Sequence, residues 1–314
     1  MENEIVVGID IGGSHITSAA VDLHKLKILP NTSCSVKVDN KASKSVIFES
    51  WSRTINGTIA KAEIKGKVKL GFAVPGPFHY KTGTAMFGGN DKYEKLYGVS
   101  IPKELEKYLK SQEVEFRFLN DAMAFGVGVS TVGKAENYRK IIAITLGTGF
   151  GSAFIDEGIP QQSSKDVPKN GWLWDKPFKQ GISDDYFSTR WCIKKYQELS
   201  SRQVEGVKEI AQANDHHSQA LFEEFGTNMA EFMLPFLKQY RPELMVLGGN
   251  ISKASDLFLP ALSIKIQNSG LKIEFEISQL MEDAAIIGSA KLFDADFWNR
   301  IKVTLNFDNN QMLE

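Results

Sequence analysis

Three glycine-rich turns, each fed by an apolar, β-branched run, constrain this chain more than any other feature. They are IVVGIDIGGSH from Ile5, IIAITLGTGFGS from Ile141 and LMVLGGNIS from Leu244. Runs that barely alternate are what strands covered on both faces require. Glycine at the turn lets backbone N–H groups come close to an anionic oxygen. Two strand–glycine–strand openings in one chain imply two similarly built α/β lobes with a cleft between them. The reading places residues 1–118 in a smaller lobe and 119–287 in a larger one. A closing helix, about 288–314, returns to the first.

At 314 residues the chain is long enough for two cores. A net charge of −1 gives no electrostatic reason to expect a nucleic-acid or anionic-membrane partner. Cys34 and Cys192 form neither a metal spacing nor a disulfide framework. The opening MENE has no basic n-region, and no apolar run reaches spanning length. A cytoplasmic location is expected.

Between the turns the pattern alternates strand and helix. Val46, Ile47, Trp51, Ile55 and Ile59 recur at helical spacing and predict an amphipathic helix over 43–64. VKLGFAVPGPF predicts a strand stopped by Pro75, Gly76 and Pro77, and Pro102 suits the first turn of a short helix. VEFRFLND predicts a strand whose end delivers Asn120 and Asp121 to a new helix. Residues 216–239 carry a long helical pattern through Leu221, Phe225, Met229, Phe232 and Phe236.

Several residues invite chemistry, each beside a plainer account. Asp10 with Gly12 and Gly13 could be an ordinary capped turn, or a site where the glycine amides meet a phosphate and Asp10 holds Mg²⁺ through water. A dinucleotide fingerprint needs G-x-G-x-x-G opening a helix, whereas adjacent glycines precede strand formers here. A P-loop fails for want of Gly-Lys-Ser/Thr. Gly147, Thr148, Gly149 and Gly151 are more glycine than a hairpin needs, which favours phosphate contact, with the Thr148 hydroxyl as a further donor. Asp121, at the end of an apolar strand, could accept the proton of an attacking alcohol or merely cap a helix. Gly248 and Gly249, with Asn250, could cap a helix or let an adenosine lie against the backbone.

Taken together, GIDIGG at 8–13, PGP at 75–77, LNDA at 119–122, LGTGFGS at 146–152 and VLGGN at 246–250 resemble the ROK family of repressors, open reading frames and sugar kinases. The matches run in order over nearly the whole chain. The resemblance implies the two-lobed actin-like ATPase (ribonuclease H-like) fold, ATP with Mg²⁺, and phosphorylation of a sugar hydroxyl. It casts Asp10, Gly12, Gly13 and Ser14 as the first phosphate turn and Gly147, Thr148 and Gly149 as the second. Gly248 and Gly249 become the adenosine turn, Asp121 the base, and Asn90 and Asn120 the sugar-binding asparagines. It also implies a homodimer.

Departures from the family pattern matter too. Ser14 and His15 stand where Thr-Lys is usual. The cysteine-rich zinc motif is absent, so no zinc is expected, as in the branch that includes polyphosphate glucokinases. The usual Glu-x-Gly-His is missing, with Lys169 and Trp172 at the corresponding place. Trp172 and Trp174 could stack on a sugar, or join Phe178, Tyr186 and Trp191 in a packing cluster. A family repressor would carry a winged helix-turn-helix ahead of the first turn, but four residues precede this strand, so DNA binding is not expected. The remaining alternatives to an ATP-dependent kinase are a sugar sensor and a polyphosphate-dependent kinase.

Overall fold

The computed structural model describes residues 4–89, 92–280 and 282–305. The chain divides into two compact units, one of residues 1–133 with 282–314, the other of residues 134–281.

In the first unit, β1 (Ile5–Ile11) and β2 (His15–Asp22) form a hairpin, with Ile11 opposite Ile16. β1 also pairs in parallel with β3 (Val68–Val74), which pairs in parallel with β4 (Val114–Asn120). Helix α1 (Lys44–Lys61) buries Ile47, Phe48, Trp51 and Ile55 against one face, while Val46 stays exposed. The other face is covered by the returning helix Glu282–Ala290, which packs on β1 and β3 and along α2 (Asp121–Thr131). That packing draws α2 into the first unit, so the division falls at 133 and not near 118.

The contact between α2 and the returning helix is made by glycine. A Cβ on Gly288 would stand 1.9 Å from the Ala124 carbonyl oxygen, and one on Gly128 1.9 Å from that of Ala284. The backbones touch because nothing projects between them.

The second unit repeats the opening. β5 (Lys140–Leu146) and β6 (Phe150–Asp156) form a hairpin, and β5 pairs in parallel with β7 (Leu244–Gly248). Beyond β7 lies β8 (Glu274–Ile277), also parallel. Helices α3 (Thr189–Ser200), α4 (His216–Tyr240) and α5 (Ser255–Asn268) complete this layer. α4 buries Leu221, Phe225, Met229 and Met233, with Phe225 edge-on to Phe187 and Phe258. Among the described residues no helix is long and apolar enough to cross a membrane.

Candidate active site

In the first unit the parallel strands end together. Asp10 pairs in register with Ala73, and Val74 with Asn120. Asp10, the glycine turn and the start of α2 therefore share the carboxyl edge of one sheet, where α/β folds place their ligands. Asn120 is the N-cap of α2: its Oδ1 accepts from the Ala122 and Met123 N–H groups at 3.1 and 3.3 Å. Its Nδ2 donates to the Tyr80 hydroxyl at 3.2 Å, and Tyr80 donates on to the Val74 carbonyl. The capping role considered for Asp121 thus belongs to its neighbour. Asp121 is the first helical residue, and its Oδ1 accepts from the Ala122 N–H at 2.8 Å.

Both carboxyls keep some open surface yet are ringed densely enough to be desolvated. Burial raises Asp121 above the usual carboxylate range, against an opposing pull from the helix amide and from the charge of Lys92. Burial, then the charges of Asp121 and Glu282, push Asp10 up to about 7, with His15 pulling the other way. The folded state therefore holds the Asp10 proton more tightly than the unfolded chain does. Stability from this group is full below the ordinary value of 3.8 and is lost as pH rises to about 7. The accumulated cost at pH 8 is on the order of 2–4 kcal/mol. In chelator, Asp10→Asn should raise the melting temperature clearly at pH 8 and by much less at pH 5. An equal gain at both values would show that Asp10 carries no such penalty.

The first glycine turn is strapped from outside the hairpin. Gly12 N–H donates to the His15 carbonyl at 2.9 Å. The Tyr93 hydroxyl donates to the Gly12 carbonyl at 2.8 Å, and the Asn40 side-chain amide donates to that of Gly13. Among the described residues the Gly13 and Ser14 N–H groups have no acceptor. His15 Nε2 lies 2.8 Å from Glu282 Oε1, and the Thr17 hydroxyl donates to Glu282 Oε2 at 2.9 Å. The hydrogen bond to Glu282 raises the His15 pKa, a gain that burial partly offsets.

In the second unit, Gly147 N–H donates to the Gly149 carbonyl at 3.1 Å, while Thr189 donates to the Gly147 carbonyl from both its N–H and its hydroxyl. Asp184 accepts from Phe150 N–H at 2.7 Å and pairs with Arg190 at 2.8 Å, and Arg190 also donates to the Thr148 carbonyl. Gly249 has φ 85, and a Cβ there would lie 2.3 Å from the Leu146 carbonyl oxygen. The third turn therefore rests on the residue that opens the second. Gly147, Thr148, Gly149, Gly248 and Gly249 form one group, as Asp10, Gly12, Gly13, Ser14, Asn120 and Asp121 form another. Asn90 lies outside the described residues.

The segment Lys169–Trp172 is pinned to β6 by Ser152, whose hydroxyl donates to the Gly171 carbonyl at 2.8 Å and accepts from Leu173 N–H at 3.0 Å. Phe178 packs edge-on to Tyr186, and Trp191 packs on Phe225, so these three serve the core. Trp174 is 41% exposed and stands apart. Among the described residues no group of three or more His, Cys, Asp or Glu could hold a metal ion alone. Mg²⁺ fits the Asp10 region differently: a hard carboxylate oxygen and unneutralised negative charge suit an ion that keeps waters and phosphate ligands.

The sequence reading missed Lys92, Tyr93 and Asn40 at the first turn, Glu282 beside it, and Asp184, Thr189 and Arg190 at the second. Lys92 and Tyr93 lie beside Asn90, so that segment was already marked. The others are brought in by long-range pairing that carries no periodic signal.

This is the actin-like ATPase fold. Solved structures of that architecture include a ROK family glucokinase from Streptomyces griseus in complex with glucose and AMPPNP. It matches with a TM-score of 0.70 and 19% identity, spanning 92% of this chain and 99% of that one. The inorganic polyphosphate/ATP-glucomannokinase of Arthrobacter sp. strain KM matches with a TM-score of 0.68 and 23% identity, spanning 92% and 97%.

The chain belongs to the ROK family, whose model matches residues 6–296. Among curated proteins it is 23% identical to a glucokinase of Thermotoga maritima, over 91% of this chain and 96% of that one. It is also 23% identical to a polyphosphate glucokinase of Mycobacterium leprae, over 92% of this chain and 74% of that one.

Proposed function

We propose that this chain is a sugar kinase that transfers the terminal phosphoryl group of Mg-ATP to a hydroxyl of a hexose or amino sugar. The observation that carries the reading is Asp121. It is a desolvated carboxyl at the end of β4 and the head of α2, in a chain that keeps both glycine turns. A carboxylate whose proton affinity is raised by burial is a better acceptor for a hydroxyl proton than an ordinary aspartate. The kinases among its relatives support the same reading.

Phosphoryl transfer asks the protein mainly for position and charge stabilisation. In this reading Asp121 takes the hydroxyl proton as the sugar oxygen attacks. Asn120 locks the base in place by capping α2 and meeting Tyr80, and with Asn90 it orients the acceptor. Asp10 holds Mg²⁺ through water, the ion neutralising charge on the phosphates when bound. Gly13 and Ser14 offer amides to the terminal phosphate, from a turn that Gly12 closes by donating its own N–H to the His15 carbonyl. Thr148 and Gly149 do so for the remaining phosphates, in the turn that Gly147 closes on the Gly149 carbonyl, with Gly248 and Gly249 against the adenosine.

A polyphosphate donor is the second reading, favoured by the two polyphosphate-using relatives. The test is ADP release from Mg-ATP, or loss of chain length from polyphosphate, across a panel of hexoses and amino sugars. Sugar-dependent ADP release supports the first reading and polyphosphate consumption alone the second. A sugar that raises the melting temperature without turnover with either donor would replace both with a sensor. The last outcome has a local basis, because Lys169 and Trp172 stand where the family's sugar-holding Glu and His are usual.

A further inference from the structure

Lys92 lies against the first glycine turn. Its Cε, Cδ and Nζ atoms are 3.3, 3.5 and 3.5 Å from the point a Cβ on Gly13 would occupy. Its positive charge also acts on the Asp121 carboxyl. One side chain is thus electrostatically tied to the base while touching the turn that would receive the phosphate.

Its position is fixed by the next residue. Tyr93 is fully buried and holds φ 55. Its ring packs edge-on to Trp51 and against Phe87, at centroid distances of 5.5 and 5.7 Å. The Tyr93 N–H donates to the Asn40 carbonyl at 3.0 Å, and its hydroxyl to the Gly12 carbonyl. The backbone at 93 is bolted to the turn, so the side chain at 92 starts from a set place beside it.

The local charge gives that cation work to do. Asp121 and Glu282 both act on Asp10 as like charges. A donor phosphate adds more negative charge, and among the described residues the groups of opposite sign that act on Asp10 and Asp121 are His15 and Lys92. His15 is engaged by Glu282. We propose that Lys92 is a catalytic residue that binds a terminal-phosphate oxygen of the donor at the Gly13 turn and aims it at the acceptor hydroxyl. This rests on the kinase reading. The sugar oxygen forms a bond to the terminal phosphorus, and the bond from that phosphorus to the bridging oxygen breaks with its electron pair on ADP. The hydroxyl proton passes to Asp121, and Lys92 neither gives nor takes a proton.

The test compares Lys92→Met and Lys92→Arg with the full native chain. Removing one preorganised donor costs about 10²–10³ in kcat, so Lys92→Met should lose at least about 10²-fold. KM for the sugar and the sugar-induced thermal shift should stay as in the native chain, and Lys92→Arg should recover part of the rate. Gly13→Ala, whose Cβ crowds Lys92, should lose rate in the same direction and serves if Lys92→Met does not fold. A kcat within threefold of native for Lys92→Met would overturn the assignment. So would an equal loss of sugar-induced stabilisation, which would mark a structural role.

Failure of the kinase reading itself looks different, as native protein without sugar-dependent turnover. Lys92 is then tested by binding alone. Mg-ATP should stabilise the native chain against heat more than it stabilises Lys92→Met, and equal stabilisation would overturn the assignment.

Discussion

Asp121→Ala should abolish sugar-dependent ADP release while leaving a folded protein. A positioned base contributes about 10²–10⁴ in rate, so a loss of about 10³ in kcat is expected. The cap of α2 survives, because Asn120 supplies it. Removing a desolvated carboxyl should if anything raise the melting temperature, since burial penalises its charge. Loss of activity together with unchanged or higher stability separates catalysis from structure. A variant that keeps a tenth or more of native kcat would remove Asp121 from the role of base. Asp121→Asn is the stricter comparison, keeping shape and the Ala122 contact while removing the proton acceptor.

The second large effect concerns packing. Gly288→Val should destabilise the first unit by about 3 kcal/mol or more, and Gly288→Ala by about 1–3 kcal/mol. A side chain there meets the Ala124 carbonyl oxygen at 1.9 Å, and backbone cannot rotate aside as a side chain does. The reciprocal contact, Gly128 on Ala284, means that relief in one helix tightens the other. The consequence reaches the site, since α2 carries Asp121 at its head and the returning helix carries Glu282 at its own. Chemical denaturation of Gly288→Ala, with kcat measured beside it, should show both falling. Unchanged stability would mean that the helices do not meet at these glycines.

The strands and glycine turns were legible because their signal is local. An apolar run ending in glycine reads the same in sequence as in space, so β1, β5 and β7 and the turns after them were placed from residues alone. Asp121 at the end of β4 was legible for the same reason. The edge of the first unit was not, because it depends on Gly128 and Gly288 meeting across some 160 positions of chain. Nor was the cap, since Asn and Asp are both good N-caps and only geometry assigns Asn120. The bracing of the turns by Tyr93, Asn40, Asp184 and Arg190 depends on tertiary contacts that leave no period in the sequence. Gly249 shows how two readings coexist: its glycine is demanded by the Leu146 carbonyl whether or not an adenosine rests there.

The most direct test of the account is the product. Native chain, Mg-ATP and each sugar of the panel should be incubated and resolved by mass spectrometry. A sugar monophosphate should form in step with ADP, one for one, and be absent with Asp121→Ala. ADP without a phosphate ester, or no ADP and no polyphosphate consumption with any sugar, would contradict it.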